Sequence, residues 1–425
     1  MKEIELKDSL ETLYYDECDN GLQIFMWPKK DVKSFYATLS VKYGSNHTKF
    51  KLNGKNKIYE VPSGTAHYME HIKFNEPDGT TAHEYFAKLG SYINAFTTFE
   101  YTTYQVYASS FFKENINHLL DYVMTPCITK KLVDKERGII LEEANMGHDN
   151  PYQDLQFTFF KNIFKNLNYR NLVIGENSEI KKITAKDLQL VFDTFYHPKN
   201  MFIVITGNFN PYEASALIKE NQKNKEFASY ANPEIIYDKE PISVVKPYEE
   251  IEGNIGEAKI KIGIKLNKAR FKINSDIKLK VMLGTVLNIN FGLTSEFRND
   301  LLEKELITAI DSSVFCKDGI VLLQVTCQTK YPEEVTKLIK DKLNNLVVTE
   351  QELNRIIKAN IATLVLDYDD IEIVNDNLAY SIIDNGKVIT DYKDIYKSIK
   401  LSDIEKLIEN IDLKNLVVVN MVPNK

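Results

Sequence analysis

The residues best placed to do chemistry lie in Gly64-Thr65-Ala66-His67-Tyr68-Met69-Glu70-His71-Ile72-Lys73-Phe74. On a helix, His67 and His71 project from one face a turn apart, with Glu70 beside them. Two imidazoles and a carboxylate on one stripe are the beginnings of a hydrolytic zinc site. With 7 histidines and 60 acidic residues in 425 positions, about 0.02 accidental His-x-x-acid-His matches are expected. The bland alternative is a pair of core histidines satisfied by backbone carbonyls. Catalytic zinc takes three protein ligands and keeps one position open, so a third donor is needed. Candidates stand in Glu136-Arg137-Gly138-Ile139-Ile140-Leu141-Glu142-Glu143. Helical spacing places Glu136 and Glu143 with Ile139 and Ile140 on one stripe, expected to be buried, and turns Glu142 about 100° away from Glu143. A carboxylate on an apolar face needs a partner, and a metal supplies one. We therefore read Glu143 as the third Zn2+ ligand and Glu136, two turns earlier, as the group that orients a ligating histidine. Glutamates on a helix are, taken alone, ordinarily a solvated face.

These residues need a helix and a sheet to hold them. Gly21 to Trp27 and Ser34 to Tyr43 have the β-branched and aromatic character of strands, and Ser45 to Lys57 reads as a loop. The spacing predicts helices from the His67 segment to about Phe74, over Ala82 to Leu89, Asn115 to Val123 and Leu132 to Met146, with a break at Asp149-Asn150-Pro151. Tyr92 to Thr97 and Thr102 to Ala108 read as paired strands. Thr184-Ala185-Lys186-Asp187 resembles a capping signal for a helix to Phe195, and Met201 to Thr206 is a buried strand. Residues 1–225 form the expected metal-binding domain, 226–245 a linker and 246–425 a second domain of similar build. The second half repeats the alternation, with strands at 259–266 and 320–326, helices at 276–287 and after Pro332 and Thr349, and a capping box at Ser402-Asp403-Ile404-Glu405. Internal duplication and the tendency of any two α/β domains to end alike explain this equally well. The fold class is α+β, two sandwich domains, each an antiparallel-rich sheet packed with helices.

Composition sets outer limits. The net charge is −7 with both signs interspersed, which argues against nucleic acid as a partner. No stretch of about twenty apolar residues suits a membrane span, and the first eight residues lack a signal-peptide core. Four scattered cysteines, Cys18, Cys127, Cys316 and Cys327, suit a reduced, cytoplasmic setting. All seven histidines precede residue 198. Of these, His83, His118 and His148 lack the spacing to a second ligand, and His197 sits in a helix-ending Tyr-His-Pro segment, so structural roles are expected of them.

His67-x-x-Glu70-His71 is the inverted zincin signature, and together with Glu136-Arg137 leading to Glu143 it resembles the pitrilysin/insulinase family of zinc metallopeptidases. Asn94-Ala95-Phe96-Thr97 resembles the family's substrate-binding edge strand. Asn145-Met146 with Asp149-Asn150-Pro151, and Tyr196-His197-Pro198-Lys199-Asn200-Met201, also resemble family segments. The interval from His71 to Glu143 is a few residues short of the family's. Length and motifs most resemble the short bacterial branch, in which an active chain works beside an inactive homologue.

The resemblance implies a peptide substrate laid against Asn94, Ala95 and Phe96, Glu70 as general base, and a clamshell of which this chain is one half. An ordinary edge-strand role suits Asn94 nearly as well. In the second half, Phe291-Gly292-Leu293-Thr294-Ser295-Glu296 leads to Leu301-Leu302, with leucine where the family carries a substrate-holding arginine, and no tyrosine stands near Thr308. That departure favours a heterodimer with a homologous non-catalytic subunit over a homodimer. The competing class is a non-catalytic scaffold or partner-binding subunit, which would be expected to have an eroded motif.

Overall fold

The computed structural model describes residues 1–148, 150–223 and 225–424, apart from the side chain of His148. Two compact units result, each built from three separate segments. The first comprises Met1–Ala144, Asn171–Tyr237 and Val365–Asp391, and the second Asn145–Arg170, Asp238–Leu364 and Tyr392–Lys425.

A seven-stranded sheet organises the first unit, in the spatial order Lys2–Leu6, Glu11–Glu17, Gln23–Pro28, Met201–Gly207, Phe35–Val41, Thr102–Ala108, Tyr92–Thr97. Only the pairing of Gln23–Pro28 with Met201–Gly207 is parallel. The two central strands, Phe35–Val41 and Met201–Gly207, are buried at every position, which is why they read as continuous apolar runs rather than alternating ones. One face packs against a large core that includes Tyr68, Met69 and Ile72 of the helix Thr65–Lys73. The opposite face carries Phe25, Trp27, Phe202 and Val204, and it is covered by Val374, Leu378, Ala379 and Ile382 of the helix Ile371–Asn385. At the centre of that contact, the buried Asn375 accepts from Thr38 Oγ1 (2.6 Å) and donates to the Val204 carbonyl (3.1 Å).

Asp16 of this sheet accepts from Ser215 Oγ (2.6 Å), the Glu17 amide (2.9 Å) and Lys219 Nζ (2.8 Å). Burial alone would raise its pKa, but these three donors outweigh it and hold the carboxyl at about 2, against an ordinary 3.8. A lowered folded-state value means that the stabilisation is present above about pH 4 and is lost as pH falls through about 2. Asp16→Asn should therefore cost about 2 kcal/mol at neutral pH and nothing at pH 2, measured by urea unfolding at both.

The second unit holds a five-stranded sheet ordered Tyr248–Gly253, Leu416–Pro423, Ala258–Asn267, Ile320–Thr329, Ala309–Lys317. Alternate residues of Ala258–Asn267 (Ile260, Ile262, Ile264, Leu266) enter a core with Leu279, Leu283, Val335, Ile339, Ile404 and Leu407. The helix Pro151–Ile163 lies on the other face. Gly263 permits that packing, because a Cβ there would come within 2.3 Å of Phe159 Cζ.

Local expectations transfer closely. The strands Tyr92–Thr97 and Thr102–Ala108, the helices Thr65–Lys73 and Ala82–Lys88, and the reciprocal Thr184–Asp187 capping box all form. Asn150 accepts from the Tyr152 amide to start the next helix, while Asp149 of the expected break lies outside the described residues.

Other expectations change. The 45–57 loop contains a strand, Lys49–Lys51, paired with Ile58–Glu60 and Glu234–Ile235. Ser402 lies inside the helix Leu401–Ile408, whose start at Lys400 has no side-chain cap, so the 402–405 capping box does not form.

Nor do the contiguous boundaries 1–225 and 246–425 describe the compact units. Residues 145–170 join the second unit and 365–391 the first, because each segment presents an apolar helical face that only the other half's sheet covers. The 226–245 segment is likewise more than a tether. Its Glu240 accepts from Lys265 Nζ (2.6 Å) and from the amides of Lys165, Asn166 and Leu167 (2.8–2.9 Å). Lys265 is fully buried. Removing one partner of a buried pair strands the other charge, so Glu240→Ala should destabilise the second unit by about 3–5 kcal/mol in denaturant titrations.

Candidate metal centre and active site

The helix Thr65–Lys73 is fixed at its start by backbone rather than by a capping side chain. Gly64 has φ +88°, and a Cβ on it would come within 2.3 Å of the Ile174 carbonyl, so only glycine lets the chain turn in there. Along the helix, the Tyr68 hydroxyl donates to the Val133 carbonyl and Lys73 Nζ to the Thr125 carbonyl. Val133 belongs to the helix Lys130–His148, so the Tyr68 bond ties the two ligand-bearing helices together.

His67, His71 and Glu143 converge, with one donor atom from each lying within 4.8 Å of the other two. His67 Nε2 is 3.5 Å from Glu143 Oε1, and His71 Nε2 is 3.2 Å from Glu143 Oε2. No other cluster of three histidine, cysteine or acidic side chains meets this criterion among the described residues. Glu136 is buried and faces the opposite nitrogen of His71, Nδ1, at 3.8 Å. It also accepts from Asn75 Nδ2 (3.4 Å) and pairs with Lys135 (3.6 Å). His67 Nδ1 is buried with no hydrogen-bond partner.

The charges interlock. Burial disfavours a proton on His71, yet hydrogen bonds to Glu136 and Glu143 push its pKa up to about 9. Glu143 is held well below the usual carboxylate range, chiefly by its hydrogen bonds to His67 and His71. Burial likewise opposes ionisation of Glu136, but His71 and Lys135 keep its pKa low. Two imidazole nitrogens facing a half-exposed carboxylate are a donor set that suits zinc, with the remaining side open.

Glu70 is 8% exposed and its Oε2 accepts from Thr97 Oγ1 at 2.6 Å. Thr97 ends Tyr92–Thr97, the outermost strand of the sheet, which pairs on one side only. Asn94 points outward and is exposed, Ala95 is buried and Phe96 half-buried, so the segment offers a free backbone edge. Thr97, Asn75 and Tyr68 are the positioning residues that motif spacing missed. Strand alternation, which puts Thr97 and Ala95 on the same face, was the signal for the first.

One packing expectation fails. Ile139 is 47% exposed and the Glu143 side chain 48% exposed, while Val133, Glu136, Ile140 and Ala144 form the buried stripe. Glu143 thus stands on the rim of its helix rather than on the apolar face, and reaches the histidines sideways. The remaining histidines whose side chains are described are held structurally. His118 bonds Glu76 at 2.8 Å and stacks on Tyr85, His83 packs on Phe74, and His47 and His197 accept from nearby backbone amides. Leu301 and Leu302, the segment compared with the one that carries the substrate-holding arginine, pack in the second core, Leu301 buried and Leu302 partly so.

An α+β scaffold that brings His67, His71 and Glu143 together near Glu70 and an edge strand is the arrangement expected of a metallopeptidase. Comparison with known proteins agrees. The family model described as Insulinase (Peptidase family M16) matches residues 33–176, the span containing His67, Glu70, His71, Thr97, Glu136 and Glu143, and that for the Peptidase M16 inactive domain matches 182–360. The "uncharacterized zinc protease YmfH" of Bacillus subtilis is 32% identical over all of this chain and 99% of its own length. "Zinc protease PqqE" of Helicobacter pylori is 24% identical over 91% of this chain and 87% of its own. An M16-like peptidase from Alicyclobacillus acidocaldarius shares the fold with a TM-score of 0.90 at 24% identity, over 97% of this chain and 98% of that one. The chain belongs to the M16 family, the insulinase or pitrilysin peptidases, as a short two-domain member. None of its described helices is long and apolar enough to cross a membrane.

Proposed function

We propose that this chain is the catalytic subunit of a zinc-dependent endopeptidase that cleaves peptides or unfolded segments. The observation that carries this reading is the convergence of His67, His71 and Glu143 beside a buried Glu70 whose one oxygen is already held by Thr97. Zinc held by His67, His71 and Glu143 would lower the pKa of a water to about 7 and polarise the scissile carbonyl. Glu70 acts as general base and then general acid. With Oε2 fixed by Thr97, Oε1 would be free to take a proton from a water and pass it to the leaving amine. Glu136, backed by Asn75 and Lys135, holds the Nδ1 side of His71 so that Nε2 faces Glu143.

The substrate adds as a further strand along Tyr92–Thr97, where backbone bonds give affinity with little demand on sequence. Asn94 is placed to bond its backbone, with Ala95 and Phe96 next along the edge. The groups that grip the far side of the peptide come from a homologous non-catalytic subunit, the two chains enclosing a chamber. The Leu301-Leu302 pair supports that reading, since this chain offers no arginine there.

The test is co-purification from the native host with mass identification of the attached chain, then a peptide-library digest by the complex with and without chelator. Cleavage that survives chelation, or a chain that purifies alone and digests at full rate, would remove the zinc or the partner part of the proposal.

A further inference from the structure

The strand Ala258–Asn267 reads Ala-Lys-Ile-Lys-Ile-Gly-Ile-Lys-Leu-Asn. Its isoleucines enter the core of the second unit, so Lys259, Lys261 and Lys265 share the opposite face. Lys265 has its carboxylate in Glu240. Lys259 and Lys261 have none. Their residues are only 6% and 9% exposed, and no carboxylate lies within ion-pair distance of either ammonium among the described residues. Lys259 Nζ instead bonds Tyr152 Oη (2.8 Å) and Gln328 Oε1 (3.0 Å), and Lys261 Nζ bonds Thr326 Oγ1 (3.2 Å), all of them neutral acceptors. Asp311, which lines the same cavity as Lys261, acts on it at longer range. Glu257 accepts from Thr308 and Gln328, pairs with Lys330, and acts on Lys259 at longer range.

Lys259 and Lys261 both border a cavity of about 380 Å³, walled also by Tyr152, Gln156, Ile310 and Asp311. Every residue around it belongs to the second unit. Buried cations are ordinarily paired, and two side chains at i and i+2 of a strand stand about 7 Å apart at their backbones, a span that one compact oxyanion bridges. Burial also pushes the Lys261 ammonium down to about 8, with Asp311 offsetting only part of that effect.

We propose that this cavity is an oxyanion-binding site, taking a small carboxylate or phosphate group between the Lys259 and Lys261 ammonium groups. Neutral donors at its wall, the Tyr152 hydroxyl and the Gln156 amide, complete the cradle, and the apolar wall admits a short hydrocarbon body behind the charged head. Nothing in this assignment depends on the zinc chemistry of the first unit.

The whole chain is titrated with inorganic phosphate and, separately, with succinate, against chloride at equal ionic strength. Each lysine is followed by trace acetylation and peptide mass mapping. One of the two anions should reduce labelling of Lys259 and Lys261 by about fivefold or more while leaving the exposed Lys135 unchanged, since a charge-assisted contact hides the amine. Phosphate protecting more strongly identifies a phosphate ligand, and succinate a carboxylate one. Lys259→Met and Lys261→Met should each weaken binding by about tenfold or more, and Lys261→Arg should largely retain it. Protection by neither anion, or equal protection of Lys135, overturns the proposal. So does unchanged affinity in both methionine variants. Because the labelling is read on the unaltered protein, the result stands even where a variant folds poorly.

Discussion

Replacing Glu70 by Gln is expected to leave a folded protein that still takes up zinc but hydrolyses peptides about 10²- to 10⁴-fold more slowly, the usual contribution of a general acid–base group. The substitution keeps the shape and the acceptor for Thr97 Oγ1, 2.6 Å away, and removes only the ability to take a proton. Two readouts separate this from a structural effect. Zinc content by elemental analysis should stay near that of the parent protein, and the thermal midpoint should shift little, since the amide oxygen can still accept the Thr97 bond. Thr97→Ala tests the positioning half of the argument. It should lower kcat with little change in KM, by much less than the loss of Glu70 itself. Full activity in Glu70→Gln would sink the catalytic assignment.

Loss of a metal ligand should be graded by geometry. His67→Ala, His71→Ala and Glu143→Ala each remove one of the three converging donors, and a zinc site needs three. Each variant should therefore purify without stoichiometric zinc and show background hydrolysis, even when zinc is restored after chelation. Glu136→Gln touches only the outer side of His71, at 3.8 Å, and should weaken zinc affinity by about 10- to 100-fold, so that added zinc rescues it. Glu142→Gln serves as the control, since Glu142 is exposed on a different side of the helix and should behave as the parent. The pattern is read by competition against a chelator of known affinity. A Glu142 variant that loses zinc while the Glu143 variant keeps it would reassign the third ligand.

The two-chain reading bears on how these variants are assayed. If the substrate-holding groups come from a homologous subunit, the isolated chain should bind zinc fully yet digest peptides feebly, and the substitutions should be compared within the complex. Zinc uptake is then the safer reporter for the ligands and hydrolysis for Glu70.

Much of the site was legible because its spacing is local. Helical geometry alone puts His67, Glu70 and His71 on one stripe, and the helix Thr65–Lys73 forms where that periodicity placed it. The strand pair Tyr92–Thr97 and Thr102–Ala108 was equally readable from residue types and the turn between them. The same periodicity separates Glu142 from Glu143, although burial is not what marks Glu143. Its side chain is half-exposed at the helix rim rather than part of the buried stripe, because Val133, Ile140 and Ala144 set that stripe. Which way a helix rolls on its neighbour depends on the whole contact surface.

Residue order alone carries the side-chain types and their short-range arrangement: a His-x-x-Glu-His helix, a glutamate-bearing helix and an edge strand, each set by covalent geometry within a few turns. Three-dimensional packing selects which distant groups complete them. It brought Thr97 to Glu70 and Asn75 to Glu136, and tied Tyr68 to Val133. It also sent residues 365–391 to the first sheet and 145–170 to the second. Those outcomes follow from burying apolar faces contributed by segments far apart in the chain. No local period records which of several apolar faces will meet, since the choice is made by the packing of all of them together.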